Sequence, residues 1–144
     1  MPNISYGNNN WKTFQKLLQK AERNIKIITA SISFKALDLI TSSINKNVEI
    51  FILTGRGRNY ERIIEIENIK RKNIKGCRGL HSKYAIIDDN IIVIGSSNIT
   101  KRSLGDIKYE GEFEIDYITD DPVVIRKANQ LFEIVWNENE NTEK

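Results

Sequence analysis

The residues of this 144-residue chain best suited to chemistry lie in one short stretch. His81 is followed two places on by Lys83, Asp88 comes five residues later, and Gly95, Ser96 and Asn98 close the run. The spacing reads H-x-K-x4-D-x6-G-S-x-N without a gap. At average residue usage, six specified positions arise by chance in a chain of this length on the order of one time in a million. An imidazole of ordinary pKa, about 6.5, is largely neutral at pH 7 and can attack phosphorus. An ammonium and neutral donors beside it, here Lys83, Ser96 and Asn98, suit the non-bridging oxygens of a phosphate and the charge that grows in a transition state. Attack by nitrogen splits one hard hydrolysis into two displacements through a covalent phosphohistidine. A second group must then protonate the leaving oxygen and later deprotonate water.

The elements that must hold these groups follow from periodicity. Lys83 to Asp88 and Ile91 to Ile94 read as two strands joined by a tight turn at Asp89-Asn90. Antiparallel pairing would return Gly95 to Asn98 beside His81, with Gly95 allowing a close backbone approach and Asp88 at the far strand end as a structural hydrogen-bonding group. Upstream, Trp11, Phe14, Leu17 and Leu18 give a helix over 11–22, 24–30 a strand, and 34–44 a second helix. The apolar run 48–54 has the character of a buried strand, and Tyr60 to Ile69 returns to helical spacing. Glu112 to Thr119 alternates with a period of two, and Pro122 opens a last helix. Alternating strands and helices predict an α/β fold, a mixed β-sheet flanked by helices on both faces, in a single domain.

The complete motif resembles the phospholipase D superfamily, whose HKD signature it reproduces. The resemblance runs from the first strand to the helix bearing Trp136 and is closest to the short, single-motif nucleases. It implies a phospholipase D-like fold and a metal-independent phosphodiesterase with no cofactor, working through His81 with Lys83, Asn98 and Ser96. In that superfamily the second acid-base group is the histidine of a second motif. His81 is the sole histidine here, so the resemblance implies a homodimer with a composite active site, in which His81 of the second subunit is the general acid and base. Relatives also carry an acidic residue after the motif that orients the histidine. Glu110, Glu112 and Glu114 are the candidates here, with Glu112 preferred, and Thr100 also matches a frequent family position.

Charge points to a polyanionic partner. From Gly55 to Lys83 nine basic residues face three acidic ones, while acidic residues dominate after Ser103. Arg56, Arg58, Arg78 and Lys101 are nucleic-acid-binding candidates, although a solvated surface explains a basic run equally well. Trp11 and Trp136 fit core or interface anchors better than stacking platforms. Cys77 is alone, so neither an intrachain disulfide nor a soft-ligand zinc site is available. Without a membrane-length apolar run or a visible secretory signal, the expectation is a cytoplasmic protein with no membrane association. Residues 1–10 are predicted as a flexible arm, 11–137 as the catalytic domain and 138–144 as an acidic tail. The favoured function is a nuclease on DNA or RNA, with specificity from a partner protein if it is specific at all. A phospholipase or phosphatidyl transferase is the alternative, and a non-catalytic nucleic-acid-binding module a third.

Overall fold

The computed structural model describes residues 3–6, 9–56, 73–96 and 114–139. Seven strands make one sheet: β1 (Asn3–Tyr6), β2 (Asn24–Thr29), β3 (Glu49–Gly55), β4 (Ile74–Cys77), β5 (Tyr84–Ile87), β6 (Ile91–Gly95) and β7 (Ile115–Thr119). Three helices are described: α1 (Asn9–Gln19), α2 (Phe34–Ser43) and α3 (Pro122–Glu138). The strand order is β1-β7-β6-β5-β2-β3-β4. β2, β3 and β4 run parallel, while the β2–β5, β5–β6, β6–β7 and β7–β1 pairs are antiparallel, so the sheet is mixed.

Helices cover both faces, and the side chains of the central strands alternate between them. Ile25 and Ile27 of β2, Ile50 and Ile52 of β3, and Ala85 and Ile87 of β5 pack against Phe14 and Leu18 of α1 and Ala36, Leu37 and Ile40 of α2. The opposite face sends Ile86 and Ile92 onto Ile125 and Ala128 of α3, and Ile28 and Leu53 onto Phe132. Ser33 caps α2, its hydroxyl accepting from the Ala36 N–H at 3.2 Å. Asp121 caps α3 by accepting from the Val123 N–H at 2.9 Å, with Pro122 in the first turn, where a missing N–H costs nothing.

Two expectations need correction, and one strand is additional to those expected. The described residues among the first ten do not form a loose arm: Asn3–Tyr6 pairs with β7, α1 begins at Asn9, and Asn10 is buried. The Asn10 amide accepts from the Ser5 hydroxyl and donates to the Glu114 carbonyl at 3.1 Å, so polar residues at the start of the chain are inside because their hydrogen bonds are made there. The hairpin turn lies one residue earlier than predicted. Asp88 and Asp89 carry the positive φ angles (55° and 56°), as a primed turn requires, and the Asn90 N–H donates to the Ile87 carbonyl. Strand β4 was not predicted, since Ile74-Lys75-Gly76-Cys77 is short and interrupted by glycine and lysine. Lys75 is nonetheless only 6% exposed, its ammonium 4.4 Å from the centre of the Trp136 ring and 3.4 Å from the Trp136 carbonyl. The predicted helix at 60–69 lies outside the described residues.

Candidate active site

One end of the sheet collects the described residues of the motif that carry chemistry. The parallel strands β2, β3 and β4 finish there, at Thr29, Gly55 and Cys77. Because β5 runs against β2, with Tyr84 opposite Ile28, its start lies at the same end and brings Lys83 and His81 with it. β6 returns to finish there at Gly95, opposite Asp116 near the start of β7. The exposed ends of parallel strands are where open α/β sheets place their ligand sites.

Two close backbone contacts shape this end. The Gly55 Cα faces the Ala30 carbonyl so tightly that a Cβ built on it would lie 2.3 Å from that oxygen and 3.7 Å from the carbonyl of Leu80, the residue before His81. The tips of β2 and β3 thus converge with the segment leading into the motif. At Gly95 a Cβ would lie 2.3 Å from both the Asp116 Oδ1 and the Ile115 carbonyl. The close approach for which Gly95 is needed is therefore that of strand β7. The Gly95 N–H donates to the Lys83 carbonyl at 3.4 Å, and the Ser96 N–H to the Ile115 carbonyl at 3.1 Å. Serine completes the tie, its hydroxyl accepting from the Ile115 N–H at 3.0 Å.

His81 is exposed at this end and Lys83 is partly buried. Tyr84, the next residue, turns toward α3 and donates its hydroxyl to the Ala128 carbonyl at 2.8 Å. Burial pushes the phenol pKa up to about 12, so it stays protonated and holds that bond throughout the neutral range. Arg56 and Arg78, both exposed, follow β3 and β4 at the same end. Glu114 precedes β7 there and is partly buried. Asn98, Thr100, Lys101, Arg58, Glu110 and Glu112 lie outside the described residues.

Asp88 is at the opposite end of β5. Its carboxylate accepts from the backbone N–H groups of Glu22, Arg23 and Asn24 at 2.9, 2.7 and 3.0 Å, and its carbonyl accepts from the Arg23 guanidinium. Burial acts to raise its pKa, but the three N–H donors and the Arg23 charge outweigh that and hold it below the usual carboxylate range. This motif member pins the far hairpin to the turn before β2. Asp116, 5% exposed and pressed against Gly95, escaped the sequence reading. Its one available signal was a carboxylate at an inward-facing position of an alternating strand. A cavity of about 670 Å³ also opens beside the motif, lined by Tyr84, Ile94, Val123, Val124, Ala128 and Leu131 among others.

The motif residues His81, Lys83 and Ser96 thus stand at one end of a mixed sheet covered by helices on both faces. Residues 14–136 match the family described as "Cardiolipin synthase, PLD-like domain", and the chain belongs to this phospholipase D-like family. Among solved structures it is similar to NucT from Helicobacter pylori, with a TM-score of 0.75 and 18% identity over 95% of this chain and 97% of that one. It is also similar to Nuc from Salmonella typhimurium, a phospholipase D family member, with a TM-score of 0.74 and 15% identity over 96% of this chain and 97% of that one. An uncharacterized protein of Helicobacter pylori is 24% identical over 136 residues, covering 85% of this chain; the match spans only 25% of that protein. The family expected from the motif and the mixed sheet expected from the alternation of strands and helices therefore both hold.

Proposed function

We propose that this chain is a metal-independent nuclease that cleaves DNA or RNA through a covalent phosphohistidine, as a homodimer with one composite site. A ring nitrogen of His81 attacks phosphorus while the bond to the leaving oxygen breaks, and the partner subunit's His81 gives that oxygen a proton. Water then attacks the phosphohistidine, yields its proton to the partner subunit's His81, and releases the first ring. Lys83 and Asn98 stabilise the charge on the non-bridging oxygens. Ser96, fastened to the start of β7, holds the end of β6 beside them.

The observation that carries this reading is the position of the chain's sole histidine. It is exposed at the strand tips, with Lys83 two residues on and Arg56 and Arg78 at the same end. An exposed ring is open to a phosphodiester and to a second subunit alike. The test is an incubation of purified protein with single- and double-stranded DNA and RNA in EDTA. Cleavage that persists in EDTA, disappears in His81→Ala and leaves labelled phosphate on the histidine is the expected result. Strict dependence on magnesium overturns it.

One observation favours a second reading. The apolar cavity begins one residue after Lys83 and ends one residue before Gly95, at Tyr84 and Ile94, a position suited to an acyl chain whose headgroup phosphate reaches His81. Turnover of phosphatidylcholine vesicles without cleavage of any nucleic acid selects this phospholipase reading.

A further inference from the structure

Phe34 is the first residue of α2 and is 53% exposed. The other phenylalanines among the described residues are not: Phe14 and Phe132 are buried, and Phe51 packs edge-on against Trp136. Phe34 belongs to none of the hydrophobic clusters. Helix architecture does not call for it either. Ser33 already supplies the cap. The apolar pair that brackets a capped N-terminus is provided by Ile32 and Leu37, both buried in the α1–α2 core. An aromatic residue more than half exposed at this position is not accounted for by the core.

Its location gives it another use. The α2 N-terminus follows the tip of β2, at the sheet end that holds His81. Side chains of a helix lean toward its N-terminus, so the Phe34 side chain leans toward that end. The Ala30 and Leu80 backbones meet across Gly55; Phe34 is four residues beyond the first and His81 one beyond the second. At 3.8 Å per residue Phe34 lies at most about 15 Å from Ala30, which keeps it at the sheet end where His81 stands. Lys35, the next residue, is exposed, and Arg56 follows the adjoining strand at the same sheet end. Cations interleaved with an open aromatic face are the apparatus that grips single strands, since every base has a face to stack and unpaired bases are free to do so.

We propose that Phe34 stacks an unpaired nucleobase beside the scissile phosphodiester and so gives the enzyme a preference for single-stranded substrate. The assignment rests on the nuclease reading above and adds a specificity-determining residue to it. In a duplex the bases already stack on each other, and the ring has no face to meet.

Wild type, Phe34→Ala and Phe34→Trp are compared on a single-stranded oligodeoxynucleotide, on the same sequence as a duplex, and on bis(p-nitrophenyl) phosphate, which has no base. The expected result is wild-type preference for the single strand. In Phe34→Ala, KM on the single strand rises about tenfold, equivalent to about 1.4 kcal/mol, kcat changes far less, and Phe34→Trp restores the wild-type KM. An equal loss on bis(p-nitrophenyl) phosphate, or a fall in melting temperature that accounts for the change, marks a structural residue and overturns the proposal. So does Phe34→Ala cleaving the single strand as wild type does, which leaves the nuclease reading intact. If wild type turns over the small diester but neither nucleic acid, the nuclease reading itself has failed, and this assignment with it.

Discussion

Replacing Asp88 separates the two ends of the motif, because this residue shares the signature with His81 but not its place. Five residues of extended chain, about 3.3 Å each, put Asp88 roughly 16 Å from Lys83. The residue is 8% exposed, and its carboxylate serves three backbone N–H donors at 2.7–3.0 Å. Charge-assisted bonds of this kind contribute about 1.5–3 kcal/mol each when fully buried; at this turn, where water can reach the freed donors, about 1 kcal/mol each is the working figure. Alanine also has to occupy a left-handed backbone at φ 55°, which costs about 1 kcal/mol more. Asp88→Ala should therefore destabilise by about 4 kcal/mol, a fall in Tm of roughly 10 °C for a chain of this size. Asparagine tolerates that backbone and keeps one acceptor oxygen, so Asp88→Asn should lose about half as much. Calorimetry gives the first quantity, and EDTA-resistant cleavage assayed at 20 °C gives the second. Asp88→Asn is expected to retain kcat within about twofold while melting early. A variant that melts with wild type yet loses activity a hundredfold would refute the assignment of Asp88 to the scaffold.

The same carboxylate predicts an acid-side effect. Its folded pKa lies below its unfolded value, so its contribution is complete above about pH 4 and is lost as pH falls through the folded pKa; Asp88→Asn should show a shallower acid decline than wild type. Tyr84 acts at the other extreme: its pKa, raised to about 12, gives stability that is complete below about pH 10 and lost as pH climbs toward 12, and Tyr84→Phe should remove that alkaline loss in a urea titration. Gly95→Ala should fail to fold or lose well over 2 kcal/mol, because the new methyl falls 2.3 Å from the Asp116 carboxylate and the Ile115 carbonyl; circular dichroism and solubility report it. In reassorted mixtures of wild type with His81→Ala, activity should follow the square of the wild-type fraction, about a quarter at equal amounts, if each site needs two imidazoles. One half at that ratio means that each chain works alone.

The central strands were legible because their residues face apolar layers on both sides, so the runs 24–30 and 48–54 declared themselves. Helices α1, α2 and α3 were legible through their apolar stripes. β1 and β4 were not: each is four residues long, and their polar members are buried by specific partners that no local pattern announces, Ser5 by Asn10 and Lys75 by Trp136. The hairpin residue error arose because aspartate adopts left-handed backbone nearly as readily as asparagine, leaving two registers open for Asp88-Asp89-Asn90. The gathering of His81, Lys83, Gly95 and Ser96 at one end of the sheet was legible from spacing. The role of Gly95 as the seat of β7, and the junction of Ala30, Gly55 and Leu80, depend on strands far apart in the chain.

Lys75 lies on β4, the last strand in the sheet order, and its ammonium turns inward over an indole. Where a terminal strand stays uncovered other chains can add on to it, and an inward charge is one of the devices that blunts this. The lysine thus doubles as a guard against fibrous association. A methionine in its place would preserve the packing yet leave the margin of the sheet adhesive, with clouding of concentrated solutions as the visible sign.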